Sequence, residues 1–435
     1  MLKSPQAGLC FILALLAAAC LWFYIDRILV GYQVADAAAH DRPRGNLSDL
    51  YPRWLGAREL LLRGRNPYSP GITLEIQRGY YGRTLDASRP DDPKDRQGFA
   101  YPVYVVFLLA PLIGLPFHTV QLFFHWLLIG LTALSVPLWL RVLNWRPSLF
   151  PIASGIVLVL GSVPAAQGIK LQQLSLLVAA MLAGSAACIA GGWLFSGGAI
   201  LAMATIKPQL VLPMVLWLLV WSLGDWRARR KLVFGFAATM AALLAAAEIV
   251  LPGWWRMFLE AIRQYHQYTQ NESVLDQLVN WVAGHFVGDI LAAAAVLLTA
   301  IVLWRARKEP PASREFGRAV ALVLALTVLI VPMYAPYNQV LLLPAILSLW
   351  RDRATFTSAS RAMRMVYALA AFALFWPWIA SIGLTATWLF SHDAAFKAWK
   401  APFYATFALP VVVFALALFS AQRAQHALRW RKPAE

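Results

Sequence analysis

Apolar runs recur along the whole chain, each ended by a short polar or basic segment. Runs of about 20 residues cross the ~30 Å hydrocarbon layer as helices, and we count about twelve of them. Only helices satisfy so much backbone within lipid, so the pattern predicts an all-α fold, a polytopic helical membrane protein. The first run, residues 8–24, ends at Asp26 and Arg27 without a small-residue cleavage site. We therefore interpret it as a retained span rather than a signal peptide.

Composition agrees with this pattern. Hydrophobic residues make up 60% of the 435 residues, and the mean hydropathy is +0.60. Such a chain cannot fold into one soluble core. Cys10, Cys20 and Cys188 lie inside apolar runs, where they act as small hydrophobic residues. The cysteines therefore provide neither an external disulfide framework nor a zinc or redox motif.

The net charge of +17 is concentrated between the apolar runs. Four basic clusters carry much of it: Arg227, Arg229, Arg230 and Lys231; Arg305, Arg307, Lys308, Arg314 and Arg318; Arg351, Arg353, Arg361 and Arg364; and Arg423, Arg429, Arg431 and Lys432. Because basic loops stay on the cytoplasmic side of a membrane, this distribution predicts cytoplasmic clusters and cytoplasmic chain termini. It explains the charge without a nucleic-acid partner.

The intervening loops then face outward. The largest are residues 31–98 and 252–284. Loops longer than about 60 residues cross largely regardless of charge, so the arginines of the first loop do not contradict this orientation. No repeat or linker divides the chain, and we treat residues 1–435 as one membrane domain with a large first external loop that carries interfacial helices.

The middle of the chain is harder to orient. Residues 192–221 are too long for one straight span, and Lys207-Pro208 lies at their centre. One kinked helix and two half-helices are both open, and we favour the single broken helix because it keeps Arg227 cytoplasmic. This count places Arg141 and Arg146 on the external side and Lys170 on the internal side.

The segment 49–64 of the first external loop begins with a carboxylate and mixes apolar residues with arginines. It predicts a helix in the membrane interface, with an apolar face formed by Leu50, Trp54, Leu61 and Leu62. Either Asp49 or Ser48 would be its N-cap. The helix dipole would favour an ionised Asp49, the state that a general base needs. We interpret the later carboxylates as solvated loop charges, namely Asp86, Asp91, Asp92 and Asp95.

Lys207 is the second candidate for function. An ammonium at mid-membrane depth is costly unless it faces a cavity, a partner or an anionic ligand. Pro208 disrupts the preceding turn, and freed backbone at that depth is tolerated only beside protein or water. The alternative is that Lys207 extends to the interface from the end of a half-helix.

Polar and aromatic groups near the outward ends of spans have the chemistry to bind sugars. In the loop 252–284 they are Trp254, Trp255, Tyr265, His266, Tyr268, Asn271 and Trp281, and both sugar stacking and interfacial anchoring fit this mixture. The segments Gln172-Gln173-Leu174-Ser175 and Tyr337-Asn338-Gln339 have groups for sugar hydroxyls or for helix capping. No nucleotide-binding signature is present, so we expect neither ATP nor a sugar nucleotide as direct substrate.

Together these segments resemble glycosyltransferase family 87, membrane mannosyltransferases of the GT-C fold that use polyprenol-phosphate-mannose. The resemblance rests on Asp49-Leu50-Tyr51, Asn66-Pro67-Tyr68, Phe99-Ala100-Tyr101-Pro102, Ile206-Lys207-Pro208-Gln209, Asn271-Glu272-Ser273 and Tyr337-Asn338-Gln339, in this order. It implies a GT-C-like architecture in which residues 99–116 form the second span. Two positions depart from the family's pattern, with Gln172 where Gly is usual before Gln173, and Glu272 where Gln is usual.

The resemblance also implies an activity. The donor would be a polyprenyl-phosphate-linked sugar, commonly mannose, and the inverting transfer to a glycolipid, polysaccharide or other acceptor would occur outside a bacterial inner membrane. Asp49 would be the base, and Lys207, Arg53 and Arg58 would bind the donor phosphate. Further substrate-binding candidates are Tyr51, Tyr68, Gln173, Gln209, His266, Asn271, Tyr337 and Asn338. Because side chains match the charge of a monophosphate, we expect no metal and no cofactor.

Two other classes remain open. About twelve spans also suit a secondary transporter or a flippase of lipid-linked sugars. The carboxylate-bearing loop occurs once, without a counterpart in the second half, and embedded ionisable residues are few, which argues against ion-coupled transport. An inactive binding or assembly subunit would share the same fold. A binding subunit should tolerate Asp49→Asn, whereas a transferase should not.

Overall fold

The computed structural model describes residues 4–43, 48–269, 272–280, 284–332 and 335–431. Helices account for 78% of it, and the described residues contain no β-strand, so the predicted all-α membrane fold is confirmed. In chain order the helices are α1 (Ser4–Phe23), α2 (Val30–Ala39), α3 (Tyr51–Arg63), α4 (Pro70–Tyr81), α5 (Val105–Leu109), α6 (Phe117–Val142), α7 (Leu149–Leu160), α8 (Val163–Lys170), α9 (Leu174–Ala190), α10 (Leu194–Ala204), α11 (Pro208–Leu223), α12 (Trp226–Val250), α13 (Trp254–Thr269), α14 (Val274–Asn280), α15 (His285–Ala306), α16 (Arg314–Ile330), α17 (Leu343–Arg351), α18 (Arg353–Thr357), α19 (Arg361–Phe390), α20 (His392–Lys397) and α21 (Ala408–Arg431). A π-helix, Tyr24–Leu29, joins α1 to α2. The 3-10 helices of the described residues are Ala110–Leu112, Pro336–Leu342 and Ala401–Phe403.

Six helical segments of the described chain are long and apolar enough to cross a membrane: Gln6–Ala39, Phe117–Val142, Trp226–Val250, Phe286–Ala306, Arg361–Phe390 and His392–Ala424. The pair α7 and α8, bent by 55°, makes a seventh if it is counted as one span. Helices α9, α10 and α11 are apolar but shorter. Length and composition therefore confirm a polytopic membrane protein, whereas the number of about twelve spans stays a prediction.

The first three predicted basic clusters meet at one end of the helix bundle. Nη1 of Arg229, at the start of α12, donates a hydrogen bond to the backbone carbonyl of Arg307, just after α15, at 2.6 Å. Arg318 of the second cluster pairs with Asp352 of the third at 2.8 Å. We call the end that contains Arg229, Arg307 and Asp352 the basic end.

The segment that follows α6 also lies at the basic end, because Arg351 donates a hydrogen bond to the carbonyl of Leu143. Arg141 and Arg146 are therefore at the same end as the basic clusters, and the prediction that placed them on the opposite side from these clusters is wrong. The error arises at residues 99–116, which the sequence suggested as a span. These residues do not cross from one end of the bundle to the other.

Residues 99–116 contain only the five-residue helix α5 and one 3-10 helix. Nε1 of Trp54 donates to the carbonyl of Leu112 at 3.4 Å, and the ring of Phe117 packs 4.9 Å from that of Tyr51. The segment therefore returns to α3, and α6 begins where α3 begins. No long helix can form here because prolines recur, at Pro102, Pro111 and Pro116.

Residues 192–221 form two helices with both outer ends at the basic end, so the prediction of a single broken helix is wrong. Before α10, a Cβ added to Gly191 would lie 2.6 Å from Nη2 of Arg141. After α11, a Cβ added to Gly224 would lie 2.3 Å from the carbonyl oxygen of Arg307. The span missing before α6 is thus regained here, and the later helices keep their predicted direction.

The turn between α10 and α11 lies at the opposite end of the bundle, which we call the Asp49 end. There the amide of Asp49 donates to the carbonyl of Leu171 at 2.9 Å, and Nζ of Lys207 donates to Gln173. Lys170 precedes Leu171 and lies at the same end, so the prediction that placed it on the side of the basic clusters is also wrong.

Helices α10 and α12 cross in close backbone contact because both carry glycine at the crossing. A Cβ on Gly198 would lie 2.0 Å from the carbonyl oxygen of Leu232, and one on Gly235 would lie 2.1 Å from that of Phe195. No other residue type fits at either position without moving a backbone. This contact keeps α10 against α12 and thereby fixes the direction in which the Lys207 turn is presented.

Helices α9 and α16 form the centre of the bundle and are buried along most of their length. Phe316 of α16 packs against Trp217 and Trp221 of α11, with ring centroids 5.3 and 5.2 Å apart. Such packing around α11 gives the residues just before it a rigid support.

Candidate active site at the Asp49 end

Four polar residues at the Asp49 end lie at the starts of helical segments. They are Asp49 two residues before α3, Gln173 before α9, Lys207 before α11, and Asn338 within the 3-10 helix Pro336–Leu342. The starts of helices carry partial positive charge and exposed amide donors, so their convergence favours an anionic ligand.

Hydrogen bonds connect these residues into one chain. Nε2 of Gln173 donates to Oδ2 of Asp49, and Nζ of Lys207 donates to Oε1 of Gln173 at 2.7 Å. Nζ of Lys207 also donates to Oγ of Ser175 at 2.7 Å, and that hydroxyl donates to Oδ1 of Asn338 at 2.9 Å. We call these five residues the Asp49 network. It brings four of the predicted site residues together and adds Ser175.

The carboxylate of Asp49 is not used for helix capping. The N-cap of α3 is Leu50, and no side chain makes a capping hydrogen bond there. The prediction that Asp49 or Ser48 caps this helix is therefore wrong. Because the Asp49 carboxylate meets Gln173 instead, it remains attached to the network rather than to its own helix.

The structure around Gln172 shows how the chain accommodates glutamine where the family usually has glycine. Its φ is 47°, in the left-handed region where glycine is favoured and other residues are strained. Nε2 of Gln172 donates to the carbonyls of Ile169 and Lys170, at 2.8 and 2.9 Å, which offsets part of this strain. Gln173 therefore keeps its position although glycine is absent before it.

Lys207 is only 7% exposed and forms no ion pair with a described residue. Its two acceptors are uncharged, and the rings of Tyr101 and Tyr337 lie 5.6 and 5.5 Å from Nζ. An ammonium has three N–H donors, so one remains for a further acceptor. A buried cation without a carboxylate in contact favours an anionic ligand.

Arg53 approaches the same tyrosine from α3. Its Cζ lies 4.4 Å from the ring centroid of Tyr101, and Nη1 donates to the backbone carbonyl of Asp49 at 2.8 Å. Nε of Arg53 is buried and has no hydrogen-bond partner among the described residues. Arg53 and Lys207 therefore present two cations around one ring.

The environment changes the pKa of Asp49. Burial raises the pKa of this carboxyl above its ordinary value, while Arg53, the hydrogen bond from Gln173 and the charge of Lys207 each lower it, with burial the strongest influence. The ionised form, which we expected the helix dipole to favour, is therefore less favoured than in an ordinary aspartate. A carboxylate with a raised pKa is a stronger base, which suits proton abstraction.

The other predicted site residues of the first loop are Tyr68, Tyr51 and Arg58. The hydroxyl of Tyr68 donates to the carbonyl of Tyr101 at 2.6 Å, so Tyr68 supports the ring that both cations share. Tyr51 packs against Phe117, and Cζ of Arg58 lies 5.3 Å from the ring centroid of Trp54. The described contacts connect Tyr68 to the network through Tyr101, and no described hydrogen bond joins any of the three residues to Asp49.

Other predicted site residues lie further out. Gln209 and His266 are exposed, and within the described part of the chain no hydrogen bond links either to the Asp49 network. Asn271 lies outside the described residues. Tyr265, next to His266 on α13, interacts electrostatically with Arg53 and Asp49, and burial raises its pKa. The sequence had not separated Tyr265 from the other aromatic residues of its loop.

Asp95 is a further candidate site residue, which the sequence interpretation missed. Burial raises the pKa of Asp95, Arg53 lowers it, and Asp49 raises it further, so the two carboxyls interact. Asp86 and Asp91 of the same acidic group are exposed, as predicted, whereas the side chain of Asp92 is only 5% exposed and pairs with Arg83 at 2.5 Å. The available signal was that Asp95 lies closest to the Phe99-to-Pro102 segment.

Comparison with known proteins shows the family of this chain. The sequence model of glycosyltransferase family 87 matches residues 99–332, which include Gln173, Ser175 and Lys207 but neither Asp49 nor Arg53. Comparisons with curated proteins and with solved structures give no match. Because the matched residues make up more than half of the chain, this protein belongs to glycosyltransferase family 87.

Proposed function

We propose that this membrane glycosyltransferase moves a sugar, mannose by family resemblance, from a polyprenyl-phosphate donor to a hydroxyl of a glycolipid, polysaccharide or other acceptor. The observation that carries the proposal is the Asp49 network. It couples a carboxylate of raised pKa, through one amide, to a buried ammonium that lacks a described ion-pair partner.

The reaction is a single displacement at the anomeric carbon. Asp49 accepts the proton of the acceptor hydroxyl as its oxygen attacks this carbon. The bond between the anomeric carbon and the phosphate oxygen breaks, and its electron pair stays on that oxygen. Polyprenyl phosphate leaves, and the configuration at the anomeric carbon inverts.

The leaving phosphate gains negative charge during this step, so cations near it accelerate the reaction. Lys207 has one N–H donor left, and Nε of Arg53 is buried without a described partner. We assign both to the departing phosphate and Arg58 to its outer side. The sugar and the acceptor would contact Tyr51, Tyr68, Tyr337 and Asn338, with Gln209, His266 and Asn271 at the rim.

A lipid-linked donor would reach this site from the bilayer. Helix α10 has 11 residues, which span about 16 Å, roughly half of a ~30 Å hydrocarbon layer. This length supports a Lys207 turn that lies below the membrane surface, where a phosphate on a membrane-anchored polyprenol can meet it. The basic end would be cytoplasmic and the Asp49 end external, in a bacterial inner membrane.

The test uses purified full-length protein in liposomes that contain labelled polyprenyl-phosphate-mannose and a membrane glycolipid extract. Wild-type protein should transfer label, and Asp49→Asn should lower transfer by about 10²- to 10⁴-fold while donor binding persists. Asp91→Asn is the matched control, because Asp91 lies in the same loop with 52% of its side chain exposed. Label that crosses the bilayer unreacted would indicate a flippase, and equal transfer by Asp49→Asn would remove Asp49 as the base.

A further inference from the structure

A large apolar cavity lies between α1, α7, α17 and α19, apart from the five residues of the Asp49 network. Its volume is 1080 Å³, at the upper limit of the ~300–1,000 Å³ usual for small-molecule pockets. Leu13 of α1 and Ile379 of α19 line it and are 53% and 51% exposed. The cavity therefore opens at the outer surface of the bundle, where membrane lipid would lie.

The two ends of this cavity differ in polarity. At the basic end its lining includes Arg146 and Arg353, which are exposed and form no ion pair with a described residue. Nη1 of Arg353 donates only to the carbonyl of Trp350, at 3.2 Å. Toward the other end, Nε2 of Gln339 already donates to the carbonyl of Thr406 at 2.6 Å. An anionic group therefore fits the basic end.

The cavity has the length of one membrane leaflet. Its lining follows α7 from Ser148, before the helix starts, to Ser162, after it ends. The 12 residues of α7 span about 18 Å, and one leaflet contributes about half of the ~30 Å hydrocarbon thickness. An acyl chain aligned with α7 would therefore lie inside the cavity over its whole depth.

The start of α7 also favours an anion at the basic end of the cavity. Ser148 is the N-cap of α7 and makes no side-chain capping hydrogen bond. The first amides of the helix therefore face the same mouth as Arg146 and Arg353, and the helix dipole favours an anion there.

We propose that this cavity binds one anionic glycerophospholipid from the leaflet at the basic end. Its phosphate lies beside Arg146 and Arg353, and its acyl chains lie along α1 and α7. Basic pockets between transmembrane helices recognise anionic headgroups in this way. A polyprenyl-phosphate sugar is not the occupant, because its phosphate must reach Lys207 at the opposite end. The lipid fills the space beside α1 and stabilises its position.

The test measures lipid retention by the full-length protein in detergent, using native mass spectrometry with phosphatidylglycerol and phosphatidylcholine of the same chain length. Wild type should retain one phosphatidylglycerol about 30-fold more strongly, as two arginines near a headgroup imply. Arg146→Gln with Arg353→Gln should abolish this preference. Arg227→Gln with Arg230→Gln removes the same charge from exposed positions at the basic end outside the cavity and should keep it.

A second pair of variants tests the acyl chains. Gly155→Leu projects into the cavity, because a Cβ there meets only Val136 at 3.8 Å, and it should lower the retention of both lipids. Ser154→Leu, in the same lining, repeats this test if the first variant fails to fold. Equal retention of the two lipids by wild type, or an unchanged preference in the Arg146 and Arg353 variant, would overturn the proposal. So would loss of polyprenyl-phosphate-mannose binding in the leucine variants.

Discussion

Gln173 donates a hydrogen bond from its amide nitrogen to Oδ2 of Asp49, although 124 residues separate the two in the chain. Its amide oxygen accepts from Nζ of Lys207. The amide has only one orientation that satisfies both neighbours, because the reverse would place oxygen against carboxylate and nitrogen against ammonium. One uncharged side chain therefore sets the spacing between the proposed base and the proposed phosphate ligand.

Replacement of Gln173 by alanine should test whether this residue positions Asp49 and Lys207. We expect Gln173→Ala to lower kcat by about 10²-fold, because small displacements of a reacting group cost this much. Steady-state transfer in liposomes at saturating donor would measure it. Gln121→Ala is the control, since Gln121 donates to Gln172 and does not touch Asp49. A wild-type kcat in Gln173→Ala would contradict the positioning role.

The pH dependence of transfer should report the pKa of Asp49. Burial raises this pKa, and a base works only when ionised, so activity should fall with acidification at a higher pH than for an ordinary aspartate. Arg53 lowers the same pKa, so Arg53→Gln should move the acid limb of the pH–rate profile to still higher pH. Arg53→Lys keeps the charge and should leave the limb near its wild-type position. A shift toward lower pH in Arg53→Gln would exclude Asp49 as the titrating group.

Lys207→Met should weaken donor binding without unfolding the protein. Loss of a hydrogen bond to a charged phosphate should raise the donor Kd about 10- to 100-fold. The unfolding midpoint should change little, since removal of a buried ammonium without a described ion-pair partner compensates for the bonds lost to Gln173 and Ser175. Donor binding and thermal unfolding in detergent would measure the two effects. Unchanged Kd would contradict the phosphate-binding role of Lys207.

The individual members of the site could be predicted more readily than their arrangement. Asp49 and Lys207 stand out as charges beside or within apolar runs, and both belong to the network. Their connection through Gln173 depends on how α9, α10 and α11 pack, and local patterns contain no information on such packing. Asp95 was missed for the same reason, because its burial depends on residues distant in the chain.

The topology shows a similar limit. An apolar run of suitable length predicts a span, yet residues 99–116 return to α3 because prolines interrupt them. Residues 192–221 reverse direction at Lys207, although their total length suggested one broken helix. The two errors have opposite effects on the count, so the sequence still placed Asp49 at the end opposite to Arg229, as the structure has it.

Substitutions at Gln172 should show the strain of its backbone. We expect Gln172→Gly to be more stable than Gln172→Ala by about 1 kcal/mol, because both lose the side-chain hydrogen bonds but only glycine removes the strain at φ 47°. Thermal unfolding in detergent would measure the difference. At Gln167, inside α8, the order should reverse, since alanine is the better helix former. The same order at both positions would contradict a strained Gln172.

Gly198→Ala should destabilise the protein by about 1–3 kcal/mol through overpacking. The new Cβ would lie 2.0 Å from the carbonyl oxygen of Leu232 and 2.7 Å from the amide of Phe236, and backbone atoms cannot move aside as a flexible side chain can. Gly184→Ala on α9 is the control, because nothing lies within 4 Å of its Cβ, and it should be neutral or stabilising. Unfolding midpoints in detergent would test both, and equal effects would mean that the crossing of α10 and α12 does not require glycine. A lower kcat in Gly198→Ala alone would further link this crossing to the position of Lys207.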